Sequence, residues 1–121
     1  MASKKTLQVK ILFLNCFITD ELGFDDIFLV IDNEKIWPID KRQQSVKPGR
    51  TALDIEIKEI RFGSQLNIEI WDYDMISSDD KLGVFSIFVD EPGGPFVTDM
   101  VVNSNETDKA KYSIEWEIDF C

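Results

Sequence analysis

Apolar and polar residues alternate one for one along most of this 121-residue chain, and that period limits what it can fold into. Leu7, Val9, Ile11 and Phe13 interleave with Gln8, Lys10 and Leu12; Leu53, Ile55 and Ile57 with Asp54, Glu56 and Lys58. Leu66, Ile68 and Ile70 interleave with Asn67 and Glu69, and Ile114, Trp116 and Ile118 with Glu115, Glu117 and Asp119. Successive side chains of a strand point to opposite faces, so a period of two in β-branched and aromatic residues marks a strand with one face buried. No helical period competes with it. The segments IFLVID, KIWPI, GVFSIFV and FVTDMVV bring the total to eight strands. Turn chemistry separates them at Asp32-Asn33-Glu34, Lys47-Pro48-Gly49, Arg61-Phe62-Gly63-Ser64, Pro92-Gly93-Gly94-Pro95 and Asn103-Ser104-Asn105. The sequence predicts an all-β, eight-stranded antiparallel β-sandwich. Pro38 in KIWPI has no N–H to give to a ladder and predicts a sheet edge or a bulge there.

The length and a 44% hydrophobic content fit a single domain spanning residues 1–121. Apolar runs such as ILFL and IFLVI fall far short of the roughly 20 residues that span a bilayer. The start MASKK leads into TLQVKILFLNCF without a small-residue cleavage site, Ala2 stands where myristoylation needs glycine, and Cys121 forms no prenylation box. The expectation is a cytoplasmic protein with no lipid anchor. Cys16 and Cys121 are expected to be free thiols. The chain contains no histidine, which excludes Ser-His-Asp and Cys-His nucleophile pairs, His-ligated zinc and His-based acid–base chemistry. Trp37, Trp71 and Trp116 alternate with strand neighbours and predict packing within the sheets.

A formal charge of −10 argues against nucleic acid as a partner, since phosphate binding draws on basic patches. Its distribution is more telling. Residues 20–26 and 72–80 hold eight acids (Asp20, Glu21, Asp25, Asp26, Asp72, Asp74, Asp79, Asp80) and no base, which leaves −2 for everything else. Like charges a few ångström apart repel by about 1 kcal/mol even in water. If LQVKILF and LNIEIW run in the same direction, both acidic loops emerge at one end of the sandwich, where a cation would neutralise them. Calcium takes six to eight oxygen ligands in irregular geometry, magnesium demands a stricter octahedron, and transition metals favour nitrogen or sulfur that these loops lack. An EF-hand counted from Asp72 fails at Ile76, Ser77 and Gly83, where it needs an oxygen ligand, glycine and glutamate.

The loops resemble those of the C2 domain family. In TDELGFDDIFLVID, Asp20 is followed six residues later by Asp26, with Ile27-Phe28 where the family has an Asp-Pro-Tyr-like step into a strand. In IWDYDMISSDDKLG, Asp72, Asp74, Ser77, Asp80 and Gly83 stand at the family's third-loop spacing. The likeness runs from TLQVKILF to YSIEWEIDF, and the strong final strand at 111–120 matches the circularly permuted, type II topology. The resemblance implies that the carboxylates of Asp20, Asp26, Asp72, Asp74 and Asp80 bridge two or three Ca2+ ions. The carbonyls of Thr19, Tyr73 and Ser78 and the Ser77 hydroxyl would complete the shells. The doublets Asp25-Asp26 and Asp79-Asp80 leave the register open by one residue. Asp26 is favoured because it precedes the aromatic step, and Asp80 because it lies three before Gly83, which makes Asp25 and Asp79 outer charges.

The same resemblance implies a calcium-dependent phospholipid-binding module without catalysis, peripheral to anionic membranes. Leu22, Phe24, Met75 and Ile76 would be the loop-tip residues that insert. Lys41, Arg42, Lys47 and Arg50 read as a solvated rim. The protein is expected to be a monomer. The alternative is a calcium-stabilised interaction or assembly domain that uses the same loops, or a sheet edge, for a protein partner.

Overall fold

The structure is a computed structural model and describes residues 6–75, 78–102 and 110–121. Among these the chain forms nine strands: β1 Leu7–Ile18, β2 Asp25–Ile31, β3 Glu34–Trp37, β4 Gln44–Val46, β5 Gly49–Ile60, β6 Ser64–Asp72, β7 Asp80–Val89, β8 Gly93–Asp99 and β9 Lys111–Phe120. One sheet has the order β5-β1-β9-β8, the other β3-β2-β6-β7 with β4 also on β2, and all the pairings are antiparallel. The expected sandwich is there. Its eight strand positions are filled by nine strands because β4 pairs with Asp25–Ile27 and β3 with Leu29–Ile31 along one edge of β2. Pro38 follows directly on β3 and interrupts that edge, where a missing N–H costs no ladder bond.

The inner faces meet in one core, in which Leu7, Val9, Ile11, Leu14, Ile27, Leu29, Ile68, Ile70, Phe85 and Ile114 are fully buried. Burying each such side chain contributes about 1.5–3 kcal/mol, enough for the core to support costlier groups at its rim. The period of two slips once in β1. A register shift between Ile11 and Phe13 turns Leu14 and Cys16 inward and leaves Phe13 half-buried beneath Arg50, whose guanidinium lies 3.6 Å from the ring centre. The partner strand β5 absorbs the irregularity with Asp54 and Glu59 in the left-handed region, φ 51° and 60°. Asp32 and Asn33, φ 50° and 67°, form the two-residue hairpin between β2 and β3 whose twist needs positive φ at both positions.

Two turn expectations move. Gly93 to Pro95 belong to β8, and Glu34 opens β3. Asn103-Ser104-Asn105 lies outside the described residues. Cys16 and Cys121 are free thiols, the first buried and the second exposed. Trp37 and Trp116 are in the core, while Trp71 stacks on Phe28 on the outer face with ring centres 6.1 Å apart.

Candidate metal centre

β1 ends where β2 begins, and β6 runs antiparallel to β2, so the β1–β2 and β6–β7 loops leave the sandwich at one end. Hydrogen bonds join them: the Tyr73 N–H donates to the Asp26 carbonyl at 2.7 Å, and the Asp26 N–H to the Asp72 side-chain Oδ1 at 3.0 Å. Gly83 keeps the second loop close to the body, because a Cβ there would lie 2.6 Å from the Val101 carbonyl oxygen. The glycine three residues after Asp80 therefore has a steric reason.

Strand phase decides which acids face inward. Asp25, Ile27 and Leu29 share the buried face of β2, whereas Asp26, Phe28 and Val30 are half-buried on the other. Asp72 pairs with Ile27 and Asp80 in register and also faces in. Carboxylate oxygens of Glu21, Asp25 and Asp72 thus come within 4.8 Å of one another, with Asp25 0% and Asp72 4% exposed. Asp25 is wholly engaged: Oδ2 accepts from the Asp20 N–H at 2.8 Å and the Tyr112 hydroxyl at 2.6 Å, and Oδ1 from the Glu21 N–H at 2.9 Å. Asp79 plays a similar part in the other loop, where its Oδ1 accepts the Asp74 N–H at 2.8 Å. One member of each aspartate doublet is thus spent on loop backbone.

Among the described residues, the ion pairs Arg50–Glu115, Lys58–Glu56 and Lys81–Glu69 do not include Glu21, Asp25 or Asp72. Burial pushes the Asp72 carboxyl from 3.8 up to about 7; the Asp26 N–H opposes the rise, and the charges of Glu21, Asp25 and Asp20 add to it. Glu21 is also raised, by desolvation and then by Asp25, Asp20, Asp74 and Asp26. An all-oxygen set of three carboxylates within 4.8 Å fits a hard divalent cation.

The remaining expected site residues lie around this cluster. Asp20 and Asp74 are half-buried in the two loops and Asp80 is exposed at the start of β7. Asp26, favoured by spacing, touches the cluster through its backbone N–H to Asp72. The Thr19 hydroxyl donates to the Glu21 carbonyl at 2.7 Å, the Tyr73 hydroxyl accepts from Arg42 at 3.0 Å, and Ser78 is exposed. Leu22 is 101% and Met75 86% exposed, and Phe24 is exposed beside them. Ser77 and Ile76 lie outside the described residues. Spacing did not single out Glu21 and Asp25; the phase of Ile27 and Leu29 carried the signal for Asp25.

No protein-family model and no curated protein matches this chain. Solved structures do. The C2A domain of plant extended synaptotagmin 1 is 12% identical with a TM-score of 0.54, over 99% of this chain and 96% of that one. A further C2 domain is 14% identical with a TM-score of 0.54, over 94% of this chain and 97% of that one. The chain has the C2 fold. Human GIVD cytosolic phospholipase A2 is similar over 99% of this chain and 18% of its own, at 16% identity and a TM-score of 0.54. That likeness, to less than a fifth of the phospholipase, shows the fold alone and brings no catalytic site with it.

Proposed function

We propose that this C2 fold is a calcium-dependent module that docks on anionic phospholipid surfaces. The observation that carries the reading is the cluster of Glu21, Asp25 and Asp72, within 4.8 Å of one another, at the rim where Leu22 and Met75 project into solvent. Asp72 is the member common to the cluster and to the family-spaced set Asp20, Asp26, Asp72, Asp74 and Asp80. These carboxylates, with the Thr19, Tyr73 and Ser78 carbonyls and the Ser77 hydroxyl, would hold the calcium. Glu21 stands beside them as a further oxygen donor.

The switch is local and electrostatic. Without calcium the rim repels an anionic membrane; two Ca2+ ions would take the formal charge from −10 to −6, with the whole change at the rim. Lipid phosphates then fill open coordination positions while Leu22, Phe24, Met75 and Ile76 enter the headgroup region. The protein would therefore be a peripheral membrane protein when calcium is bound. Vesicle sedimentation tests this: the protein should pellet with phosphatidylserine vesicles in calcium, stay soluble in chelator, and ignore pure phosphatidylcholine. A calcium titration with measurable heat but no pelleting would instead support the calcium-stabilised protein-interaction domain.

A further inference from the structure

We infer that Tyr112 is a positioning residue of this site, acting from the opposite sheet, an inference that rests on the calcium reading above. Tyr112 belongs to β9, whereas the metal cluster is carried by the β1–β2 loop, β2 and β6. Its ring is buried, 2% exposed, and its hydroxyl gives its proton to Asp25 Oδ2 at 2.6 Å. Cys16, its register partner on β1, lies buried beside it. The same Asp25 carboxylate holds the N–H groups of Asp20 and Glu21. A continuous path of hydrogen bonds thus runs from the β9 backbone to the loop that presents two of the rim acids.

Removing the hydroxyl has two opposed effects. Asp25 Oδ2 regains a lone pair, which favours metal, but the buried carboxylate loses a charge-assisted donor and the loop loses its fixed anchor. Asp25 is 0% exposed and still pinned by two backbone donors, so it cannot turn outward to use the freed lone pair. The loss of order therefore wins. Outer partners of metal-binding groups typically change affinity by about 10- to 100-fold when removed.

Tyr112→Phe keeps the ring in the core and removes only the hydroxyl. Titration calorimetry should show calcium binding weakened by about tenfold. Amide exchange in chelator should speed up at Asp20 and Glu21 while the β6 and β7 amides keep their protection. Calcium affinity within twofold of wild type, or faster exchange spread evenly over both sheets, would overturn the proposal, because a merely structural hydroxyl lowers protection everywhere. Asp25→Ala and the double variant should share one calcium affinity; additive losses would show that Tyr112 acts by another route, which also overturns it. Absence of calcium heat in the wild type would overturn the calcium reading and with it the role given to Tyr112, and local exchange at Asp20 and Glu21 would still show separately whether Tyr112 anchors the loop.

Discussion

Glu69 and Asp72 stand three residues apart on β6, and their carboxyls are driven in opposite directions. Glu69 lies on the outer face, where Lys81 Nζ donates to it at 3.0 Å and Trp71 Nε1 at 3.1 Å, and these donors hold its carboxyl below the usual range. Asp72 lies on the inner face at the rim, among Glu21 and Asp25, and burial drives it up to about 7. One strand thus carries a carboxylate that donors stabilise and one that burial and neighbouring charges destabilise. Three acids converging from two loops form a donor set that fits a divalent cation.

The largest effect should come from removing the acid that burial destabilises. Calcium at about 100 times its dissociation constant should stabilise the wild type by roughly 2.7 kcal/mol per site. Asp72→Asn should abolish that gain, yet in chelator at pH 7 it should melt no lower than the wild type, since it removes a buried charge crowded by Glu21, Asp25 and Asp20. Parallel thermal melts with and without calcium decide the matter: a full calcium response in the variant would sink the metal centre. Glu69→Gln should leave the calcium response intact.

The next effect is one of pH. In chelator the folded protein holds the Asp72 proton up to about pH 7, whereas the unfolded chain gives it up near 3.8. Between those values the native state binds more protons, so this group makes stability fall as pH rises, with the penalty complete above about pH 7. The span amounts to a few kcal/mol on the order of 1.4 per unit. Glu69 has the opposite sign: its stabilisation is present above 4.5 and is lost as pH falls. Urea melts at pH 5 and 7.5 of wild type and Asp72→Asn isolate the first term, because the difference between the two proteins should shrink or vanish at pH 5. Calcium favours the charged carboxylate and should remove the acid-side gain.

The rim and the sheet face also differ in their apolar residues. Leu22 and Met75 project beside the acid cluster, while Phe88 is exposed on β7 away from it. Leu22→Ser and Met75→Ser should each weaken calcium-dependent vesicle binding by about tenfold, from the loss of roughly 1.5 kcal/mol of apolar burial. Phe88→Ser should change vesicle binding little, and none of the three should move calcium affinity. Equal losses at Phe88 and Leu22 would mean that the sheet face, not the rim, meets the membrane.

Much of the fold was legible because a period of two states both the strand and its buried face. β1, β5, β6 and β9 follow it, and Pro38 falls at the sheet edge it predicts. What escaped were places where one residue is added to a ladder. The slip that trades Phe13 for Leu14 leaves no mark in composition, since both are apolar and the compensating left-handed residues, Asp54 and Glu59, are ordinary strand-face polars. The three residues of β4 form a strand by resuming an edge that Pro38 broke, a tertiary effect. At the rim, counting from loop to loop located both acidic segments but not the side chains that converge. Asp25 and Asp26 are one residue apart, and only the phase running back from Ile27 and Leu29 puts the first of them inside. Glu21 has no strand phase to read; it joins the cluster because its own N–H and that of Asp20 close the loop onto Asp25.

The smallest effect should come from breaking the satisfied acid's pair. Lys81 and Glu69 are each about one-third exposed, so water screens their attraction and replaces much of what is lost when they part. Lys81→Met should cost about 0.2–1 kcal/mol at low salt and less in 1 M salt, while Trp71 Nε1 continues to hold Glu69 in place. The metal-free rim should respond to salt in the opposite direction, since screening relieves repulsion among like charges. Denaturant melts at two ionic strengths in chelator therefore separate the two regions: salt should shrink the penalty of Lys81→Met and, in the wild type, raise stability in proportion to the repulsion that Asp72→Asn removes. A wild type whose stability falls with salt would show that paired carboxylates such as Glu69 outweigh the acid cluster, and that the contrast along β6 is weaker than the distances imply.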